Sequence, residues 1–197
     1  MGYDCVLRHV QDTDGDRLAT SSLSSVIQDS LEMAKAADAI HKMQDSAAVK
    51  YALKQNFKFC QVDRDGHCLE NSILAAQHAS GDKVLEVHVL RNAILAQFEQ
   101  QSKAKQLACA EHALLTVENY KKGISAGSIY LGLDEIEWIA RDLDLQIVIH
   151  HENYDWLRFE FGRESETTKP IHLAFLSSGA QQDKGHFGCL SPLNQVA

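Results

Sequence analysis

Val62-Asp63-Arg64-Asp65-Gly66-His67-Cys68-Leu69-Glu70-Asn71-Ser72 lies between two kinds of hydrophobic pattern. Upstream, Phe57-Lys58-Phe59-Cys60-Gln61-Val62 is short and rich in aromatic and β-branched side chains, as strands are. Downstream, Leu69, Ile73, Leu74 and Ala76 recur at helical spacing to about Ala79, where Ser80-Gly81-Asp82 ends the run. Between them Asp63 to His67 reads as a polar turn. The segment is therefore strand, turn, helix, with Cys68 at the helix start. The positive end of a helix favours a thiolate there. The preceding turn supplies backbone N–H groups for an oxyanion, and Gly66 lets the chain approach a carbonyl closely. This suits acyl transfer. Many cysteines in such junctions are simply small core hydrophobes, so a second chemical group is required.

Working outward, residues 1–24 are polar, with Asp12-Thr13-Asp14-Gly15-Asp16 and a Ser-rich run, and read as a flexible N-terminal arm. The Asp-rich piece is no calcium loop, because the twelfth position from Asp12 is Leu23 rather than glutamate. From Ser25, helical spacing of Val26, Ile27, Leu31, Ala34 and Met43 predicts helix, with a second piece over 47–53. Amphipathic helices are predicted at 83–100 and 104–121, with Gly123 and Gly127 breaking the pattern. Asp134 is expected to cap a short helix, with Glu137 in the capping-box position. Strands follow at 146–150, 156–161, 171–176 and 186–190. The order predicts one α+β domain over 25–197, a small, mostly antiparallel sheet flanked by helices.

Composition narrows the function. The 197 residues, 45% of them hydrophobic, suit one domain with a sizeable core. No apolar run spans a membrane and no leader pattern opens the chain; Val6 stands where a myristoylation motif has Ser or Thr. The five cysteines, Cys5, Cys60, Cys68, Cys109 and Cys189, contain no C-x-x-C pair, which argues against a disulfide framework or a zinc site. His150 and His151, adjacent on a strand, point to opposite faces and do not share a metal. A net charge of −8 disfavours nucleic acid. The expectation is a monomer without cofactor, metal, membrane or nucleic-acid partner, in a reducing cytosol, its own or that of a host cell into which it is delivered.

His186 lies in Lys184-Gly185-His186-Phe187-Gly188-Cys189-Leu190, a short apolar stretch after a polar loop, where a strand would hold an imidazole against the Cys68 helix. It is one of ten histidines. At this point the residues resemble a known family, the ovarian-tumour (OTU) cysteine proteases. Val62 to Ser72 resembles its nucleophile motif, Asp-Gly-x-Cys followed by a hydrophobic residue and, three further on, Ser or Ala, with His67 at the x position usually held by Asn. Ile129-Tyr130-Leu131-Gly132-Leu133-Asp134-Glu135-Ile136-Glu137-Trp138-Ile139-Ala140 is similar to the family's aromatic-Gly segment and its helix. Ile171-His172-Leu173-Ala174-Phe175 and then His186-Phe187 resemble the strand and His-aromatic pair that carry the base. The three blocks stand in family order over about 57–193.

The resemblance implies a papain-like OTU fold and a thiol deubiquitinase acting on ubiquitin or polyubiquitin, or on a ubiquitin-like modifier. It makes Cys68 the nucleophile and His186 the base. Asp65 braces the turn, and the backbone of Gly66, His67 and Cys68 binds the oxyanion. Tyr130, Leu131, Gly132 and Phe187 line a channel for a Gly-Gly tail, and Asp134, Glu135 and Glu137 are placed to meet arginines of that tail. The chain departs from the pattern at Gly188, where many members carry an Asp or Asn that orients the imidazole. Glu32, Asp38, Asp45, Asp63 and Asn194 are the substitutes, unless Cys68 and His186 work as a dyad. Two other readings stand beside this one: a non-catalytic ubiquitin-binding module, and a papain-like thiol hydrolase with a different acyl substrate.

Overall fold

The computed structural model describes residues 45–163, 169–178 and 181–193, together with 28, 30–32, 34–35, 38 and 42. The chain divides into two compact units, Met1–Met43 and Gln44–Ala197. The expected arm over 1–24 and Asn194 lie outside the described residues. In the first unit the described residues are helical and exposed, with i,i+3 and i,i+4 ion pairs from Lys35 to Glu32 (3.2 Å) and Lys42 to Asp38 (2.8 Å).

In the second unit, five strands form one sheet: β1 (Phe57–Cys60), β2 (Ile147–His151), β3 (Leu157–Phe161), β4 (Ile171–Ser178) and β5 (Gln181–Pro192), in the order β1-β5-β4-β2-β3. Only the β2–β4 pairing is parallel, so the sheet is mostly antiparallel as expected. The helices are α1 (45–54), α2 (Cys68–Ser80), α3 (Val87–Gln100), α4 (Lys103–His112), α5 (Val117–Ala126) and α6 (Leu133–Asp142). Among the described residues no helix is long and apolar enough to cross a membrane.

Strand alternation sorts the core into two parts. One sheet face presents Ile147, Ile149, Leu173, Phe187 and Cys189 to Leu69 and Ile73 of α2, Leu90, Ile94 and Phe98 of α3, and Ile136 and Ile139 of α6. The other presents Ala174, Leu176 and Leu190 to Ala48 and Ala52 of α1. Each fully buried Leu, Ile or Phe contributes roughly 1.5–3 kcal/mol, so the larger part of the stability lies on the α2 side. His150 and His151 do point to opposite faces. His150 meets Tyr51 and His172, while His151 packs against Tyr154, Phe159 and Phe175.

Three local expectations are corrected. The single helix over 104–121 is two, because α4 closes in a Schellman motif. Leu114 takes a left-handed conformation (φ 57°), and the N–H of Leu115 reaches back to the Ala110 carbonyl at 2.8 Å. Thr116 then caps α5 by accepting from the Asn119 N–H at 3.2 Å. The usual glycine signal is missing because a leucine occupies the left-handed position. Gly123 does not break α5 but lies within it, where a Cβ would stand 2.5 Å from Ile129 Cγ2. The cap of α6 is Gly132 rather than Asp134: Glu135 Oε2 accepts from the Gly132 N–H at 2.6 Å, shifting the frame by two residues.

Candidate active site

The turn after β1 delivers Cys68 to the first position of α2, with His67 as N-cap. Gly66 holds φ +89°, which favours glycine, and Asp65 Oδ1 accepts from the His67 N–H at 2.9 Å. Asp65 therefore closes the turn, and in doing so engages one of the three amides assigned to an oxyanion.

Cys68 is 5% exposed and packs against Phe187 of β5, with the backbone N–H groups of Phe187 and Leu69 bearing on its thiol. Burial pushes the thiol up, these two N–H groups pull it down, and the carboxylates of Glu70 and Asp65 push it up again, for a net rise. The other buried thiols face stronger opposition. Cys109, beside Asp134, is pushed up by burial to about 11, and Cys189 to about 12.

His186 directly precedes Phe187 in β5. It is buried, in register with Leu176 of β4. Alternation places it on the sheet face of Gly188 and Leu190, while Phe187 faces the α2 side, so the strand carries the imidazole on the face away from the Cys68 helix rather than against that helix as expected. The missing acid at Gly188 has a steric cause: a Cβ there would lie 2.3 Å from Cε2 and 2.7 Å from Cζ of Phe59. The ring fills the space an Asp side chain would need. Gly185 is likewise covered by the ring of Phe175. Of the substitutes, Asp45 is committed to Arg64 at 3.0 Å, and Asp63 is exposed. Glu32 and Asp38 belong to the first unit, paired with Lys35 and Lys42 there.

A cleft of about 780 Å³ opens beside Cys68. It gathers Gly66, Cys68, Tyr130, Leu131, Gly132 and Phe187, six of the residues singled out in the sequence, while Asp65, His67 and His186 stand outside its lining. Its lining also joins Asp134 and Glu135, which the sequence did signal, to partners it did not. Tyr120 donates to Glu135 in a short hydrogen bond, and burial pushes its hydroxyl well above the ordinary range. Asp134 Oδ2 accepts from Lys105 Nζ at 2.7 Å and from Cys109 Sγ at 3.5 Å. These engagements, with Glu137 on Arg141 at 2.7 Å, mean that all three acids expected to meet substrate arginines already have partners within the chain. Polar residues on separate helices converge here only through packing, which no local pattern announces.

No protein-family model and no curated protein matches the chain. Among solved structures, an OTU deubiquitinase from Wolbachia pipientis wMel aligns over 72% of this chain and 92% of its own, with 16% identity and a TM-score of 0.50. An OTU deubiquitinase of that organism bound to ubiquitin aligns over 71% of this chain and 98% of its own, with 15% identity and a TM-score of 0.50. The viral OTU domain protease from Farallon virus aligns over 73% and 89%, with 20% identity and a TM-score of 0.49. The strand order, the helix carrying Cys68 and the two Wolbachia alignments together identify the architecture: this chain has the fold of the OTU domains.

Proposed function

We propose that the chain is a thiol deubiquitinase that hydrolyses isopeptide bonds after the C-terminal Gly of ubiquitin, with Cys68 as nucleophile and His186 as base. The observation that carries this reading is the seat of Cys68. It sits at a helix N-terminus on the edge of the cleft, where the backbone N–H of Phe187 favours its thiolate. His186 takes the thiol proton as Cys68 Sγ bonds to the glycine carbonyl carbon. The tetrahedral intermediate then expels the lysine amine, which leaves with that proton, and a thioester remains. Water, deprotonated by His186, attacks the thioester and releases the glycine carboxylate and the thiol. Tyr130, Leu131 and Phe187, which line the cleft that Cys68 borders, would flank a side-chain-free Gly-Gly tail.

The test is a ubiquitin probe with a C-terminal electrophile, together with a panel of ubiquitin chains. The wild type is expected to be labelled and to cleave chains, Cys68→Ala to do neither, and His186→Ala to lose labelling with its fold intact. Labelling that persists in Cys68→Ala defeats the assignment. Two observations favour the second reading, a ubiquitin-binding module without turnover: His186 lies outside the cleft lining on the sheet face away from the Cys68 helix, and Phe59 stands where an orienting acid would. Binding of ubiquitin without labelling would select it.

A further inference from the structure

Within the first turn of α2, two residues after Cys68, Glu70 is 1% exposed, an unusual burial for a carboxylate. Arg91, from α3, reaches it with two donors: Nε at 3.2 Å and Nη2 at 3.1 Å from Oε1. The same Nη2 lies 2.8 Å from Nδ1 of His67, whose Nδ1 is also 3.8 Å from Glu70 Oε1. A guanidinium only donates, so His67 Nδ1 is the acceptor and the ring proton sits on Nε2. The guanidinium also has a prepared seat. Gly127, the left-handed cap of α5 (φ +66°), faces it so closely that a Cβ there would stand 2.1 Å from Nη2. Arg91 thus joins α3, the end of α5, the first turn of α2 and the residue before the nucleophile.

We propose that Arg91 is a positioning residue of the catalytic centre: it neutralises the buried Glu70 carboxylate beside Cys68 and fixes the His67 ring, so that the turn presents an ionisable thiol. The proposal rests on the reading of Cys68 as nucleophile. The carboxylates that bear on the thiol are Glu70 on its own helix and Asp65 in the turn; Arg91 from α3 pairs with the first, and its guanidinium also meets His67. Two carboxylates oppose thiolate formation, and Arg91 is the cation that offsets the buried one. A packing role alone would leave the ionisation of the thiol untouched. The charge role ties it to Arg91 and Glu70 in opposite directions.

The test follows iodoacetamide alkylation of the Cys68 peptide by mass spectrometry across a pH series, in the full chain. Arg91→Gln is expected to raise the alkylation midpoint by about one pH unit, slowing reaction near neutrality about tenfold. The isosteric Glu70→Gln is expected to lower the midpoint, and the double variant to return towards the wild type, a non-additivity of coupled charges. An unshifted midpoint in folded Arg91→Gln or Glu70→Gln overturns the proposal, as does a double variant that behaves like Arg91→Gln. Should Arg91→Gln fail to fold, Glu70→Gln decides alone. Alkylation needs no ubiquitin. A chain inert towards ubiquitin but showing these shifts therefore loses the proposed function and keeps the charge coupling, and an active chain without them does the reverse.

Discussion

Gly188→Ala adds one methyl group at the position where the expected acid is missing, and its sign separates two explanations of that absence. Gly188 has no left-handed backbone conformation, so alanine can adopt it. If the space were open, Ala would stabilise the strand by about 0.4–1 kcal/mol, through the smaller entropy of the unfolded chain. The structure predicts the opposite. The new Cβ would stand 2.3 Å from Phe59 Cε2, about 1 Å inside the 3.4 Å at which ordinary contact begins, and overpacking of this kind costs about 1–3 kcal/mol. With roughly 3 °C per kcal/mol for a domain of this size, the midpoint should fall by about 3–9 °C. Thermal or urea unfolding followed by circular dichroism measures it. Phe59→Ala/Gly188→Ala supplies the control, because removing the ring removes the clash and the two changes should then couple favourably. A Gly188→Ala protein as stable as the wild type, or more stable, would refute the steric account and leave Gly188 without a structural reason.

The His150–His172 pair carries a pH prediction. Burial first, then nearby positive charge, holds both at about 4 against an ordinary 6.5, so between those values the unfolded chain binds more protons than the folded one. Stability contributed by the pair is complete above pH 6.5, is lost as pH falls towards about 4, and changes no further below that. In His172→Phe the pH slope of unfolding free energy in this window should shrink by about one proton; equal slopes would exclude the pair as its source. Thr116→Ala should cost about 1 kcal/mol by leaving the Asn119 N–H uncapped, read as a lower urea midpoint at unchanged m-value.

Much of this protein is local and therefore legible. The strand at Phe57, the turn through Gly66 and the helix from Cys68 follow from composition, a left-handed glycine and hydrophobic spacing, each set within a few residues. The strand candidates of the C-terminal third are strands in the fold for the same reason: alternation and β-branching act on nearest neighbours. Where a local rule had a non-local exception, expectation and fold part company. Leu114 holds a left-handed position that sequence assigns to glycine, and Gly132 caps α6 through the reach of Glu135.

The sequence by itself determined the seat of Cys68 and the order of the strands, because periodicity and turn chemistry are properties of short segments, while the cleft residues Tyr130, Leu131, Gly132 and Phe187 were named by the family resemblance. Only the tertiary structure decided what surrounds that seat. Phe59 crosses from β1 to cover Gly188, Arg91 arrives from α3 to meet Glu70 and His67, and the acids at the start of α6 turn to Lys105 and Tyr120. Each of these contacts joins residues far apart in the chain, and packing alone sets which side chains share a buried space.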